Sequence, residues 1–218
     1  MAYNNELAGK MVLDIETVAL PDAGEFIEDV TAPANYKDPE KIAAYIAEAR
    51  AEAVTRAALD PDLCRIVALG YQVEGSGLLA PTVRLCRTDH DEFGVLEEFW
   101  RTFRAFQFLG FNQVGFDLPV LLRRSLYLGV AAPRLLLGKY PNQHPQCLDL
   151  AGELSNYGAR KYRSLGFYAK RLCLPALSGD GAEVAGWVAA GQWTALQQHN
   201  AADITTTVAL ATRLGHWR

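Results

Sequence analysis

Five ionisable residues in three distant stretches carry most of the chemistry this chain could perform. Asp14 and Glu16 sit in Met11-Val12-Leu13-Asp14-Ile15-Glu16-Thr17, an apolar strand-forming run. Side chains alternate along a strand, so acids at i and i+2 point to one face. Two adjacent carboxylates repel, and such a pair at the end of a buried strand is tolerable when a divalent cation sits between them. An exposed edge strand with two solvated acids accounts for the same residues. His199 and Asp203 are four apart, hence neighbours on one helical face, in a stripe with Leu196, Thr207, Leu210 and Leu214. Ionisable groups are costly to bury unless paired or metal-bound, so this is either a His–Asp clasp or part of a metal site. Asp117 stands at the mouth of a strand-to-helix loop, where sites are commonly built. A helix N-cap explains Asp117 too, and Asn112 in the same loop also suits a turn. Taken together, four carboxylates from three remote segments converge only on positive charge. Two divalent cations about 3.5–4 Å apart are the usual answer and serve phosphoryl chemistry.

Elements that could position these groups are legible along the chain. After the opening strand, the Pro-, Asp- and Ala-rich stretch from Pro21 to Pro33 reads as a surface excursion. Asp38-Pro39-Glu40 then offers an N-cap, a proline at the first helical position and an acid in the first turn. Ile42, Tyr45, Ile46 and Ala49 follow at helical spacing, which predicts an amphipathic helix through about Leu59. Cys64 to Val73 and Pro81 to Arg87 read as strands, joined by the turn-rich Glu74-Gly75-Ser76-Gly77 into an antiparallel hairpin. Phe93, Leu96, Phe99, Trp100 and Phe103 make one helical stripe. Phe106 to Phe111 is a short strand that runs through Asn112 and Asp117 into a helix carrying Val120, Leu121, Leu122 and Leu126. Leu135 to Pro145 looks loop-like, Asp149 to Leu154 and Ser164 to Leu174 read as helices, and a last helix spans about Gln192 to Leu214. The order predicts an α/β layered domain with a mixed sheet.

The totals bound the answer loosely. A chain of 218 residues with 50% hydrophobic residues can build one sizeable core, so one domain over 1–218 is expected, with a helical surface excursion at 21–59. A formal charge of −4 argues against binding nucleic acid through the overall field, while a local basic patch can still supply contacts. Cys64, Cys86, Cys147 and Cys173 form no CxxC or Cys/His pattern and read as reduced residues. No run approaches the ~18 apolar residues of a spanning helix, and MAYNNELAGK lacks a signal core. A soluble, cytoplasmic protein without a membrane partner is expected.

Leu13-Asp14-Ile15-Glu16-Thr17, Asn112-x3-Phe116-Asp117 and His199-x3-Asp203 resemble the three exonuclease motifs of the DEDD superfamily of 3′–5′ exonucleases. The similarity is greatest to the predicted exonucleases related to the proofreading domain of family B DNA polymerases, and it includes Gly179-Asp180-Gly181. The resemblance implies an RNase H-like fold, a mixed five-stranded sheet flanked by helices. It also implies hydrolysis from the 3′ end of single-stranded DNA, more than RNA, to 5′-mononucleotides, with two divalent cations, Mg²⁺ or Mn²⁺, as cofactors. Asp14 then bridges both cations, Glu16 and Asp203 hold the one carrying the nucleophilic water, and Asp117 helps hold the other.

One departure concerns His199. It occupies the spacing at which such relatives usually carry tyrosine, whereas the histidine branch has its residue one position earlier. A histidine titrating near ~6.5 can accept the water's proton, which makes His199 a candidate general base. The metal-binding candidates are thus Asp14, Glu16, Asp117 and Asp203, with His199 as the fifth catalytic candidate. Arg160, Lys161 and Arg163 lie in an acid-free run with Tyr157, Tyr162 and Tyr168 that suits a single strand, though a solvated helix face has the same composition. With Thr17, Asn112 and Phe116 they are the substrate-binding candidates; core packing and turn formation are the plain alternatives for Phe116 and Asn112. Asp149 and Asp180 read as cap and turn residues. A replication or repair partner protein fits such a role. A non-catalytic nucleic-acid-binding module and an RNase H-like endonuclease are the alternative functions.

Overall fold

The strand expected around Met11–Thr17 is longer than its apolar run: β1 spans Gly9–Ala19 and occupies the middle of a five-stranded sheet. The computed structural model describes residues 7–78, 80–135, 137 and 146–218. Most of the loop expected over Leu135 to Pro145, and the first six residues, lie outside that range. The remaining strands are β2 (Cys64–Val73), β3 (Thr82–Leu85), β4 (Phe106–Gly110) and β5 (Cys147–Asp149). Their spatial order is β3-β2-β1-β4-β5. β1 and β2 pair antiparallel, as do β2 and β3 in the predicted hairpin, whereas β4 runs parallel to both β1 and β5. This is the mixed sheet the element order predicts.

The excursion after β1 holds a single turn, α1 (Ala23–Phe26), and the predicted helix, α2 (Pro39–Arg56), followed by a 3₁₀ turn at Ala57–Leu59. Asp38 caps α2 as expected, accepting the Glu40 amide at 2.9 Å. None of the residues of α2 is fully buried, so this helix decorates the sheet more than it stabilises it.

The other helices cover the two faces of the sheet: α3 (Asp89–Phe103), α4 (Asp117–Leu128), α5 (Leu150–Leu154), α6 (Leu165–Leu172), α7 (Val184–Ala189) and α8 (Trp193–Arg213). Met11, Leu13 and Ile15 pack with Leu96, Phe99, Trp100, Leu118 and Leu121 of α3 and α4. Val12 packs with Leu109, Leu150, Ile204 and Leu210, and Val18 with Val67 and Leu196, on the side of α8. Alternation along β1 thus leaves Asp14 and Glu16 on the α8 side.

Two helical stripes differ from the expectation for one reason. Phe93 and Leu126 stay exposed, while Glu92, Arg124 and Ser125 take inward positions. Arg124 donates to both Glu92 oxygens at 2.8 and 2.9 Å, Glu92 also accepts the Ile66 amide at 2.9 Å, and Trp100 Nε1 donates to Ser125 Oγ at 2.8 Å. These polar groups satisfy one another across α3, α4 and β2, so apolar spacing alone misplaces the inner face. β5 was not separable from α5 in the sequence, because three residues carry no periodicity. No disulfide joins the four cysteines; Cys64, Cys86 and Cys147 are buried and Cys173 is exposed.

Candidate active site

β1 outruns β4, and the site forms where the two part. Pairing between them ends at Val12 opposite Leu109, while β1 continues to Ala19. The amides of β1 beyond that point need other partners. Ile15 finds one in Asp117, whose Oδ1 accepts its N–H at 3.1 Å. Asp117, the first residue of α4, is buried, and this bond draws it to the strand that carries Asp14 and Glu16. An irregularity of the β1–β2 ladder falls between Glu16 and Thr17, a placement common beside active sites.

The loop leading to Asp117 is tied down by a residue read from the sequence only as a cap. Asp149, at the end of β5, accepts the amides of Ala151 and Gly152 at the start of α5, at 3.0 and 3.1 Å. It also accepts the amides of Asn112 and Val114, both at 3.0 Å. One buried carboxylate therefore joins β5, α5 and the loop from β4 to α4. Asn112 adopts a left-handed backbone (φ 65°), and its Oδ1 accepts the Tyr162 hydroxyl at 3.0 Å. It is a turn residue and faces the basic, aromatic segment at once. Asn112, Val114, Gly115, Asp149, Tyr157 and Tyr162 line a groove of about 230 Å³.

α8 delivers the remaining groups. His199 and Asp203 share its inward face, as their spacing predicts, and His199 is 4% exposed. They form no simple clasp: His199 Nδ1 bonds to the Ser178 carbonyl, and its Nε2 stands 3.3 Å from Glu16 Oε1. One ligand atom each from Glu16, His199 and Asp203 lies within 4.8 Å of the others. Between them on the helix, Asn200 is fully buried and donates to Asp14 Oδ2 at 2.7 Å and to the Asp14 carbonyl at 3.3 Å. Sequence reasoning passed over Asn200, although its four-residue spacing from Leu196 places it on the same face.

The electrostatics are those of acids forced together. Burial pushes the Asp14 carboxyl well above its usual range, and Glu16, Asp117 and Asp203 push it further. Glu16 rises to about 8 through burial and then the charges of Asp203 and Asp117. Asp117 rises to about 7, mainly through burial, even though its own amide and that of Ile15 favour the charged form. Asp203 is also raised by burial, with His199 opposing. Asp203 Oδ1 is buried with no hydrogen-bond partner among the described residues. Oxygen-rich, under-satisfied and mutually repelling, this donor set fits a divalent cation.

The remaining candidates fall into two groups. Thr17 donates its hydroxyl to the Ala58 carbonyl at 2.6 Å, clasping β1 to the 3₁₀ turn after α2. Phe116 packs partly buried against the main core, just before α4. Both therefore have structural work. Arg160, Lys161 and Arg163 are exposed, and the Arg163 guanidinium lies over the Phe167 ring at 4.8 Å from its centroid. Asp180 accepts the Ala182 amide at 3.1 Å and, with Glu183, caps the 3₁₀ turn Gly181–Glu183, the turn role its sequence suggests.

An RNase H-like α/β fold with an acidic pair on its central strand and further acids from two flanking helices is the class this sheet order and site define. The chain is similar to a family B DNA polymerase from the hyperthermophilic archaeon Pyrobaculum calidifontis, at a TM-score of 0.61 and 18% identity, over 94% of this chain. It spans 24% of that polymerase, so the likeness is one of fold. The chain belongs to the family of predicted 3′–5′ exonucleases related to the exonuclease domain of PolB, which matches residues 58–218. Asp117, His199 and Asp203 lie inside that match, and β1 with Asp14 and Glu16 precedes it. The comparison with curated proteins returned no match. Among the described residues no helix is long and apolar enough to cross a membrane.

Proposed function

We propose that this protein is a metal-dependent 3′–5′ exonuclease that releases 5′-mononucleotides from single-stranded DNA ends. The observation that carries the reading is the convergence of Asp14, Glu16, Asp117 and Asp203 from β1, α4 and α8, with burial and mutual repulsion raising their affinity for protons. A scaffold has no use for that repulsion, whereas a cation removes it. Asp14, Glu16, Asp117 and Asp203 are the residues that would hold Mg²⁺ or Mn²⁺. Such ions, when bound, lower the pKa of water and neutralise charge on the phosphodiester.

The chain's own groups do the positioning. Asn200 fixes the rotamer of Asp14, and the Ile15 amide fixes Asp117. The groove lined by Asn112, Tyr157 and Tyr162 takes the terminal nucleotide, with Phe116 in the loop beside it. Arg160, Lys161 and Arg163 follow Tyr157 on the same segment, where cations meet phosphates and rings meet bases.

A 5′-labelled single-stranded DNA incubated with Mg²⁺ or Mn²⁺ tests the proposal. The wild type should shorten it progressively from the 3′ end, and Asp14→Ala should not. Intact circular single-stranded DNA in the same assay distinguishes an exonuclease from an endonuclease. Absence of cleavage by the wild type on DNA and RNA alike would overturn the reading.

A further inference from the structure

Which atom of His199 is free decides what it does. A backbone carbonyl can only accept, so the bond from Nδ1 to the Ser178 oxygen places the ring proton on Nδ1. In the neutral ring Nε2 then carries a lone pair, and Glu16 Oε1 stands 3.3 Å from that nitrogen. Two acceptor atoms thus stand at hydrogen-bond distance between buried side chains, and only a shared proton or a cation between them reconciles the contact. Two donors each ~2.1 Å from one ion stand about 3.0–3.4 Å apart in octahedral or tetrahedral coordination. The Glu16–His199 spacing falls in that interval.

Two further observations point the same way. Asp203 Oδ1, in the same cluster, is buried and lacks a donor among the described residues. A backbone carbonyl on the second ring nitrogen is also how metal-ligating imidazoles are oriented. That carbonyl is held in place: Gly179 follows at φ +81°, and a Cβ there would stand 2.6 Å from Trp187 Cη2. Trp187 in turn packs edge-on to the His199 ring, 5.3 Å between centroids.

We infer that His199 Nε2 is a direct ligand, with Glu16 and Asp203, of one divalent-cation site, and that this nitrogen shifts the site's preference from Mg²⁺ toward a borderline transition cation such as Mn²⁺. The inference rests on the exonuclease reading for the use of a divalent cation. It replaces the role that the sequence suggests for His199: a lone pair given to a metal cannot also accept a proton, so His199 is not the general base.

The test is electron spin-echo modulation of Mn²⁺ added to the metal-free protein. Wild type should show coupling to a coordinated imidazole nitrogen, and His199→Ala should lose it. The chain holds four histidines. A variant with His90, His144 and His216 all changed to alanine should keep the coupling, which assigns it with every residue of α8 unchanged. Mn²⁺ should bind His199→Ala about tenfold or more weakly, with Mg²⁺ affinity, read by competition, changing much less. Mn²⁺ binding without nitrogen coupling in wild type, or no binding at all, overturns the inference. Coupling without shortening of DNA or RNA would leave it standing and sink the exonuclease reading; shortening without coupling does the reverse.

Discussion

A single methyl group at position 70 tests the packing that assembles the site. Gly70 pairs with Asp14 across the β1–β2 ladder, directly under α8. A Cβ there would lie 1.9 Å from Asn200 Oδ1 and 2.3 Å from Ile204 Cδ1. Both side chains are fully buried, so neither can swing into solvent. Gly70→Ala must therefore push α8 away from the sheet or force both side chains from their rotamers, at a cost of about 1–3 kcal/mol. For a chain of this size each kcal/mol lowers Tm by about 2–4 °C, so melting in EDTA should fall by about 2–12 °C. Asn200 is the residue that holds Asp14, and Asp203 lies one turn further along the same helix. The variant should therefore also gain less stability from Mn²⁺ than wild type, which gains about 2.7 kcal/mol at a hundredfold excess over Kd. Asn200→Ala removes the closest contact, so Gly70→Ala should cost less in that background, by about 0.5 kcal/mol or more. Unchanged melting with an unchanged Mn²⁺ response, or strict additivity of the two substitutions, would refute the proposed contact between helix and strand.

Three other outcomes follow from the same geometry. Asp149→Asn replaces one acceptor oxygen with a donor facing backbone N–H groups; it should lower stability by about 1–3 kcal/mol in denaturant titration and slow DNA shortening. Arg124→Met leaves Glu92 buried without its partner and should cost about 3–5 kcal/mol, while Glu92→Leu combined with Arg124→Leu should cost less than either alone. Stability of the metal-free protein should depend on pH. Glu16 rises from the ordinary 4.5 to about 8 and Asp117 from 3.8 to about 7, so between those limits the folded chain binds more protons than the unfolded one. The contribution of these acids is thus most favourable below about pH 4 and is lost as pH rises toward about 8. Melting in EDTA should show that decline, and saturating Mn²⁺, which favours the charged carboxylates, should remove or reverse it.

Much of the site was legible before any fold was known, because periodicity reports which residues share a face. Alternation put Asp14 and Glu16 together on β1, and the four-residue step put His199 with Asp203 on α8. The hairpin of β2 and β3, the cap of α2 and the strand-to-helix turn at Asp117 are local, so local residues specify them. Periodicity says nothing about which face meets which. That β4 stops short of β1 and leaves the Ile15 amide to Asp117, that Gly70 makes room for Asn200, and that Asp149 ties a strand, a helix and a loop are facts of packing between segments remote in the chain. The same holds for His199: its type and spacing were evident, but the neighbours that set its tautomer, Ser178 on one nitrogen and Glu16 facing the other, were not. The sequence by itself determined the acids, their order and the faces they occupy, since each depends on residues within one turn or strand. Only the tertiary structure decided their distances, their burial and hence their pKa values, since those depend on what the rest of the chain excludes from around them.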